Sequence, residues 1–174
     1  TLTASGQAKL HDGFAPLMQG FKYANFNDLN DLEANITPDV GAILLEPIQG
    51  EGGIRTCNPV YLKKVRELCD AKNVLMILDE IQTGCGRTGK LFAYEHAGIE
   101  PDIITLAKGL GNGVPIGAFG CKARIASGFS VGSHGSTFGG NPLCSSAALA
   151  TLQVVLDEGL VDNARDVGAY FLVK

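Results

Sequence analysis

Two short, unbroken apolar runs constrain this chain more than anything else in it. Val74-Leu75-Met76-Ile77-Leu78 closes on Asp79-Glu80-Ile81-Gln82, and Ile103-Ile104-Thr105-Leu106-Ala107 closes on Lys108. Runs of this length without polar alternation suit strands buried on both faces of a parallel sheet. A third run, Val40 to Leu45, ends at Glu46-Pro47. After it, Asn58-Pro59 reads as an N-cap and a first helical position. Leu62, Val65, Leu68 and Cys69 then form one apolar face up to Lys72. Strand, helix and strand in this order predict a right-handed parallel crossover. The expected fold class is α/β, a mostly parallel sheet flanked by helices.

The rest of the chain reads more coarsely. Residues 1 to 38 are mixed, with a short helix expected around Asp28 to Asn35. A polar, glycine-rich turn follows the first strand, at Gln49-Gly50-Glu51-Gly52-Gly53. Leu91 to His96 reads as a short helix, Gly117 to Cys121 as a strand and Ala123 to Ala126 as a brief helix. Ser130 to Gly140 is a Gly/Ser-rich loop. Asn141-Pro142 opens a long helix with Ala147, Ala148, Leu149, Leu152, Val155 and Leu156, and a last helix starts near Leu160.

The bulk properties exclude several classes. A net charge of −4 provides no global basic field for nucleic acid. No apolar run approaches the ~20 residues of a membrane helix. Thr1 opens without the layout of a signal peptide and without an initiator Met, so the true N-terminus is expected to lie upstream. Cys57, Cys69, Cys85, Cys121 and Cys144 have no metal-type spacing and fit scattered thiols in a reducing cytosol. Two motif matches fail on context. Gly84 to Lys90 imitates a phosphate-binding loop, but Leu91 stands where the Mg²⁺-holding hydroxyl belongs. Gly128-Phe129-Ser130-Val131-Gly132 imitates a nucleophile elbow without the strand that must precede it. His11, His96 and His134 share no ligand spacing, and no metal is expected.

Asp79 and Lys108 are the informative pair. Taken singly, each has an ordinary explanation: a carboxylate capping a neighbouring helix, and a solvated surface lysine. Together they end two strands at the edge where open α/β sheets bind ligands. A lysine at that edge is expected to be partly desolvated, which makes its amine a usable nucleophile. Lysine forms Schiff bases with carbonyl cofactors, and aspartate holds a pyridinium nitrogen protonated. The pairing points to pyridoxal phosphate. Gln82 is in a turn that can direct its amide into the same crevice. The Ser133 to Pro142 segment has two physical readings: a loop whose Asn141 caps the next helix, or an anion site of hydroxyls and backbone N–H groups.

Four motifs in order resemble the class III pyridoxal-phosphate aminotransferases. They are Glu46-Pro47-Ile48-Gln49-Gly50-Glu51-Gly52-Gly53, Asp79-Glu80-Ile81-Gln82-Thr83-Gly84, Asp102 to Gly109, and His134 to Leu143. The resemblance runs essentially end to end. It implies a fold-type-I large domain with pyridoxal 5'-phosphate as cofactor. Lys108 would be the Schiff-base lysine and proton carrier, and Asp79 the partner of the pyridine nitrogen. Gln82 would hydrogen-bond near the ring hydroxyl. Thr137, with Ser136, would bind the cofactor phosphate of the neighbouring subunit, so the sites of a homodimer would be shared. Glu51 would be the gate over a substrate-binding arginine.

Family members are roughly twice this length. The resemblance therefore implies that residues 1–174 are the central part of the large domain, with an N-terminal segment and a C-terminal small domain absent. Within the family the chain looks most like enzymes that transaminate N-acetylornithine with 2-oxoglutarate in the cytoplasm. The alternatives are an ornithine or 4-aminobutyrate enzyme, or an inactive piece serving as a folded scaffold. Expected partners are small amino and 2-oxo acids, with neither nucleic acid nor membrane.

Overall fold

The computed structural model describes all 174 residues. Its centre is a four-stranded sheet in the order β1 (Ala42–Leu45), β4 (Leu75–Asp79), β5 (Ile103–Leu106), β6 (Ala118–Cys121). β4 pairs in parallel with both β1 and β5, while β6 closes the edge antiparallel to β5. Two further short strands, β2 (Ile48–Gln49) and β3 (Arg55–Thr56), form a separate antiparallel ribbon around the glycine-rich turn. The helices are α1 (Leu29–Asn35), α2 (Pro59–Lys72), α3 (Ala123–Ala126), α4 (Pro142–Asp157) and α5 (Leu160–Val173).

Helix α2 begins and ends on local signals. Asn58 Oδ1 accepts the Val60 N–H at 2.8 Å, and Pro59 occupies the first turn, where no amide hydrogen is needed. Asn73 ends the helix in the left-handed region, at φ 54°, a conformation asparagine tolerates better than most side chains. The Val74 N–H then reaches back to the Cys69 carbonyl at 2.9 Å, and the chain turns directly into β4.

The core lies between α2 and one face of the sheet. Leu62, Val65 and Cys69 of α2 meet Ile43, Met76 and Leu78, with Leu32 of α1 joining the same cluster. Val65 and Met76 are fully buried, and burial of side chains of this size contributes about 1.5–3 kcal/mol each.

The expectation of strands buried on both faces is corrected here. β4 alternates between buried and half-buried residues, and Leu44 of β1 is 47% exposed. Ile43, Met76 and Leu78 face α2, with the half-buried Leu45 and Ile104 packed beside them. The opposite face carries the rows Leu44, Ile77, Ile103, Cys121 and Asp79, Thr105, Phe119, and Phe119 is 55% exposed. Within these residues the closed apolar cluster lies on the α2 side. Leu91 to His96 also differs from expectation: a 3₁₀ segment, Ala93–Ala97, takes the place of a helix. In α4, Leu149 and Leu156 stay largely exposed and only Cys144 and Ala148 are buried. No single helix is long and apolar enough to cross a membrane, and α4 and α5 meet at a 63° bend.

Candidate active site

Asp79 is the last residue of β4, and its register partner on β5 is Thr105. Three residues beyond Thr105 the chain reaches Lys108, so the carboxylate and the amine leave adjacent parallel strands at the same edge. Asp79 Oδ1 accepts the Ile81 N–H at 2.9 Å, which fixes the carboxylate over its own turn. Lys108 opens a 3₁₀ turn, Lys108–Leu110, that follows an extended Ala107. Its φ of 41° is unusual for a residue with a side chain. Such a conformation costs on the order of 1 kcal/mol or more and persists only where the surroundings enforce it. Enforcement comes from buried Leu110, whose N–H bonds the Ala107 carbonyl at 2.9 Å, and from Gly111. A Cβ on Gly111 would stand 2.2 Å from the Val114 carbonyl oxygen, so only glycine closes this turn.

Lys108 itself is exposed, which corrects the expectation of a partly desolvated amine. Residues 1–174 do not themselves supply that desolvation: Lys108 follows the half-buried Ala107 and precedes exposed Gly109, while Asp79 is half-buried. Gln82 is half-buried, and its amide rests against the backbone of Gly50. The Gly50 N–H in turn donates to Glu46 Oε2 at 3.1 Å. Gln82 thus joins the Asp79 turn to the β2–β3 turn, with Glu51 exposed at its tip. Ser136 and Thr137 are on an exposed loop between α3 and α4. Asn141 caps α4, its Oδ1 accepting the Cys144 N–H at 3.0 Å.

Three polar residues that sequence reasoning passed over organise this region. Glu80 is 1% exposed. It accepts from the Thr83 hydroxyl, from the Ala93 N–H at 3.1 Å and from the Tyr94 N–H at 2.9 Å. It therefore ties the turn behind Asp79 to the Ala93–Ala97 segment. Its only sequence signal was a second carboxylate directly after a buried strand. Asp102, also 1% exposed, stands at the opposite end of the sheet. It accepts from the Met76 N–H at 2.9 Å and pairs with Arg66 at 2.8 Å, Arg124 at 2.5 Å and Lys122 at 3.5 Å. Burial alone would raise its pKa, but the Met76 N–H and Arg66 outweigh burial and hold the carboxyl at about 2. The third residue is Thr105, whose hydroxyl is buried without a partner. Cys85, beside this edge, is a poor nucleophile, since burial and the nearby Glu80 charge push its thiol up.

The donor set fits a carbonyl cofactor with a basic ring nitrogen: an accessible primary amine, a carboxylate with lone pairs to spare and an amide held in the adjoining turn. Comparison with known proteins agrees. The model of the class-III aminotransferases matches residues 1–174. The chain belongs to that family. It is 54% identical over 174 residues to the acetylornithine aminotransferase of Methanocaldococcus jannaschii, covering all of this chain and 44% of that protein. Among solved structures, the ornithine aminotransferase of Toxoplasma gondii superposes with a TM-score of 0.93 at 45% identity, over 98% of this chain and 41% of that one. The acetylornithine aminotransferase of Elizabethkingia anophelis superposes with a TM-score of 0.79 at 45% identity, over 84% and 39%. The chain thus spans less than half the length of the relatives it matches. Class-III aminotransferases depend on pyridoxal phosphate, and a second Toxoplasma gondii ornithine aminotransferase structure reports that cofactor at partial occupancy in its active site.

Proposed function

We propose that residues 1–174 are the central part of the cofactor-binding large domain of a pyridoxal-phosphate-dependent aminotransferase. Its reaction moves the amino group of N-acetylornithine to 2-oxoglutarate, giving N-acetylglutamate semialdehyde and glutamate, a step of arginine biosynthesis. The observation that carries this reading is the exit of Asp79 and Lys108 from adjacent parallel strands at one sheet edge. When bound there, pyridoxal phosphate supplies an electron sink for the bonds at the substrate Cα. Lys108 would hold the cofactor through its amine and, once the incoming substrate amine has displaced it, would carry the proton removed from that Cα. Asp79 keeps the ring nitrogen protonated, because an anion held beside it favours the charged form. Gln82 orients the ring from its seat against Gly50.

The remaining roles extend the same reading. Ser136 and Thr137, on their exposed loop, reach the cofactor phosphate of a second subunit in a homodimer. Glu51, at the tip of the β2–β3 turn, masks a substrate-binding arginine outside these residues while the amine donor is bound. It releases that arginine to 2-oxoglutarate. Five free thiols suit a cytoplasmic protein.

Borohydride reduction of the full-length protein with its cofactor, followed by peptide mapping, tests the core of this reading. The adduct is expected on Lys108, and an adduct on another lysine overturns the assignment. Ornithine is the second reading, supported by the TM-score of 0.93 to an ornithine aminotransferase. The ratio of kcat/KM for N-acetylornithine and ornithine decides between them.

A further inference from the structure

The row Asp79, Thr105, Phe119 across β4, β5 and β6 contains an unmatched donor beside an under-used acceptor. Thr105 Oγ1 is buried and bonds to nothing. Ile104 packs against the core on the α2 side, so strand alternation turns Thr105 to the other face, the one that bears Asp79. The Asp79 carboxylate receives one hydrogen bond, from the Ile81 N–H to Oδ1, and Oδ2 receives none. An ionised carboxylate offers about four acceptor sites. Neighbouring strands lie about 4.8 Å apart, a gap between register partners that a threonine hydroxyl can span by rotating about χ1. Phe119, the other neighbour in the row, has no polar side-chain atom, so Asp79 is the acceptor that Thr105 has beside it.

A buried hydroxyl without a partner lowers stability, and such a defect is tolerated where a bound state uses the group. We propose that Thr105 is a positioning residue for Asp79. When the cofactor site is filled, its hydroxyl donates to Oδ2 and fixes the plane of the carboxylate, leaving lone pairs directed at the ring nitrogen. This role rests on the reading of Asp79 given above.

The test uses full-length protein stripped of cofactor, titrated with pyridoxal phosphate, as wild type, Thr105→Val, Thr105→Ser and Asp79→Asn. Valine keeps the shape of threonine and removes the donor, whereas serine keeps the donor. Thr105→Val is expected to raise the cofactor Kd about tenfold, the scale of one hydrogen bond to a charged group. Thr105→Ser is expected to stay within about twofold of wild type. The cofactor-free Tm of Thr105→Val should equal or exceed that of wild type, because the unsatisfied hydroxyl is gone. Unchanged affinity in Thr105→Val, equal weakening in Thr105→Ser, or a lowered cofactor-free Tm accompanying the weaker binding each overturns the proposal. Asp79→Asn separates the two levels. If it disturbs cofactor affinity and visible spectrum while Thr105→Val does not, only the role of Thr105 fails. If Asp79→Asn changes neither, the Asp79 assignment fails and the Thr105 role falls with it.

Discussion

Gln82 lies so close to Gly50 that a methyl group at position 50 would stand 1.9 Å from the amide oxygen. This contact joins the turn behind Asp79 to the turn that presents Glu51, two segments 32 residues apart in sequence. Gly50→Ala is therefore expected to displace the Gln82 amide, since a side chain moves more cheaply than backbone. Folding should change little, while cofactor affinity in the full-length protein falls about tenfold, the scale of one lost charge-assisted bond. Thermal unfolding and cofactor titration measured together check this. A loss of stability with unchanged cofactor affinity would show that Gly50 serves only the ribbon.

Asp79→Asn is expected to leave the sheet intact, because an amide oxygen can still accept the Ile81 N–H. What it removes is the charge beside the ring nitrogen. In the full-length enzyme kcat should fall on the order of 10²-fold or more, consistent with the loss of a preorganised charged partner. Steady-state kinetics at saturating cofactor measure it, and near-normal turnover would move the ring-nitrogen partner elsewhere.

Glu80→Gln is expected to destabilise the protein by about 2 kcal/mol. Three donors converge on the Glu80 carboxylate: the Thr83 hydroxyl and the Ala93 and Tyr94 N–H groups. A glutamine turns one end of that acceptor into a donor, so at least one buried N–H or hydroxyl faces another donor. Urea denaturation reads the change, and a midpoint equal to wild type would mean that the Ala93–Ala97 segment does not depend on this anchor.

Acid sensitivity should follow Asp102. Its folded-state pKa is about 2, against 3.8 for an unperturbed carboxyl. A depressed folded pKa means that the unfolded chain takes up its proton first as pH falls. The stabilisation is therefore complete above about pH 4 and is lost between there and about pH 2, with a size on the order of 2 kcal/mol. Asp102→Asn should remove that pH dependence and, by leaving Arg66 with only its exposed partner Asp70, cost about 2 kcal/mol near neutral pH. Denaturation midpoints of both proteins from pH 2 to pH 7 are the measurement. Parallel curves would assign the acid response to other carboxyls.

Much of this molecule is legible in one dimension because its signals are local. The apolar runs ending at Asp79 and Lys108, the caps at Asn58 and Asn141 and the apolar face of α2 each depend on residues a few positions apart. Short-range sterics and hydrogen bonding act at that distance. The order of motifs fixes the family for the same reason. What the sequence did not carry were relationships between strands. It left open that Thr105 would be the register partner of Asp79, that Gln82 would rest on Gly50, and that Asp102 would gather Arg66, Lys122 and Arg124. Nor did it tell which face of the sheet α2 would cover. Register and facing follow from how elements pack against each other, and burial decides which polar side chains need partners. Those terms exist only once the chain is assembled in three dimensions.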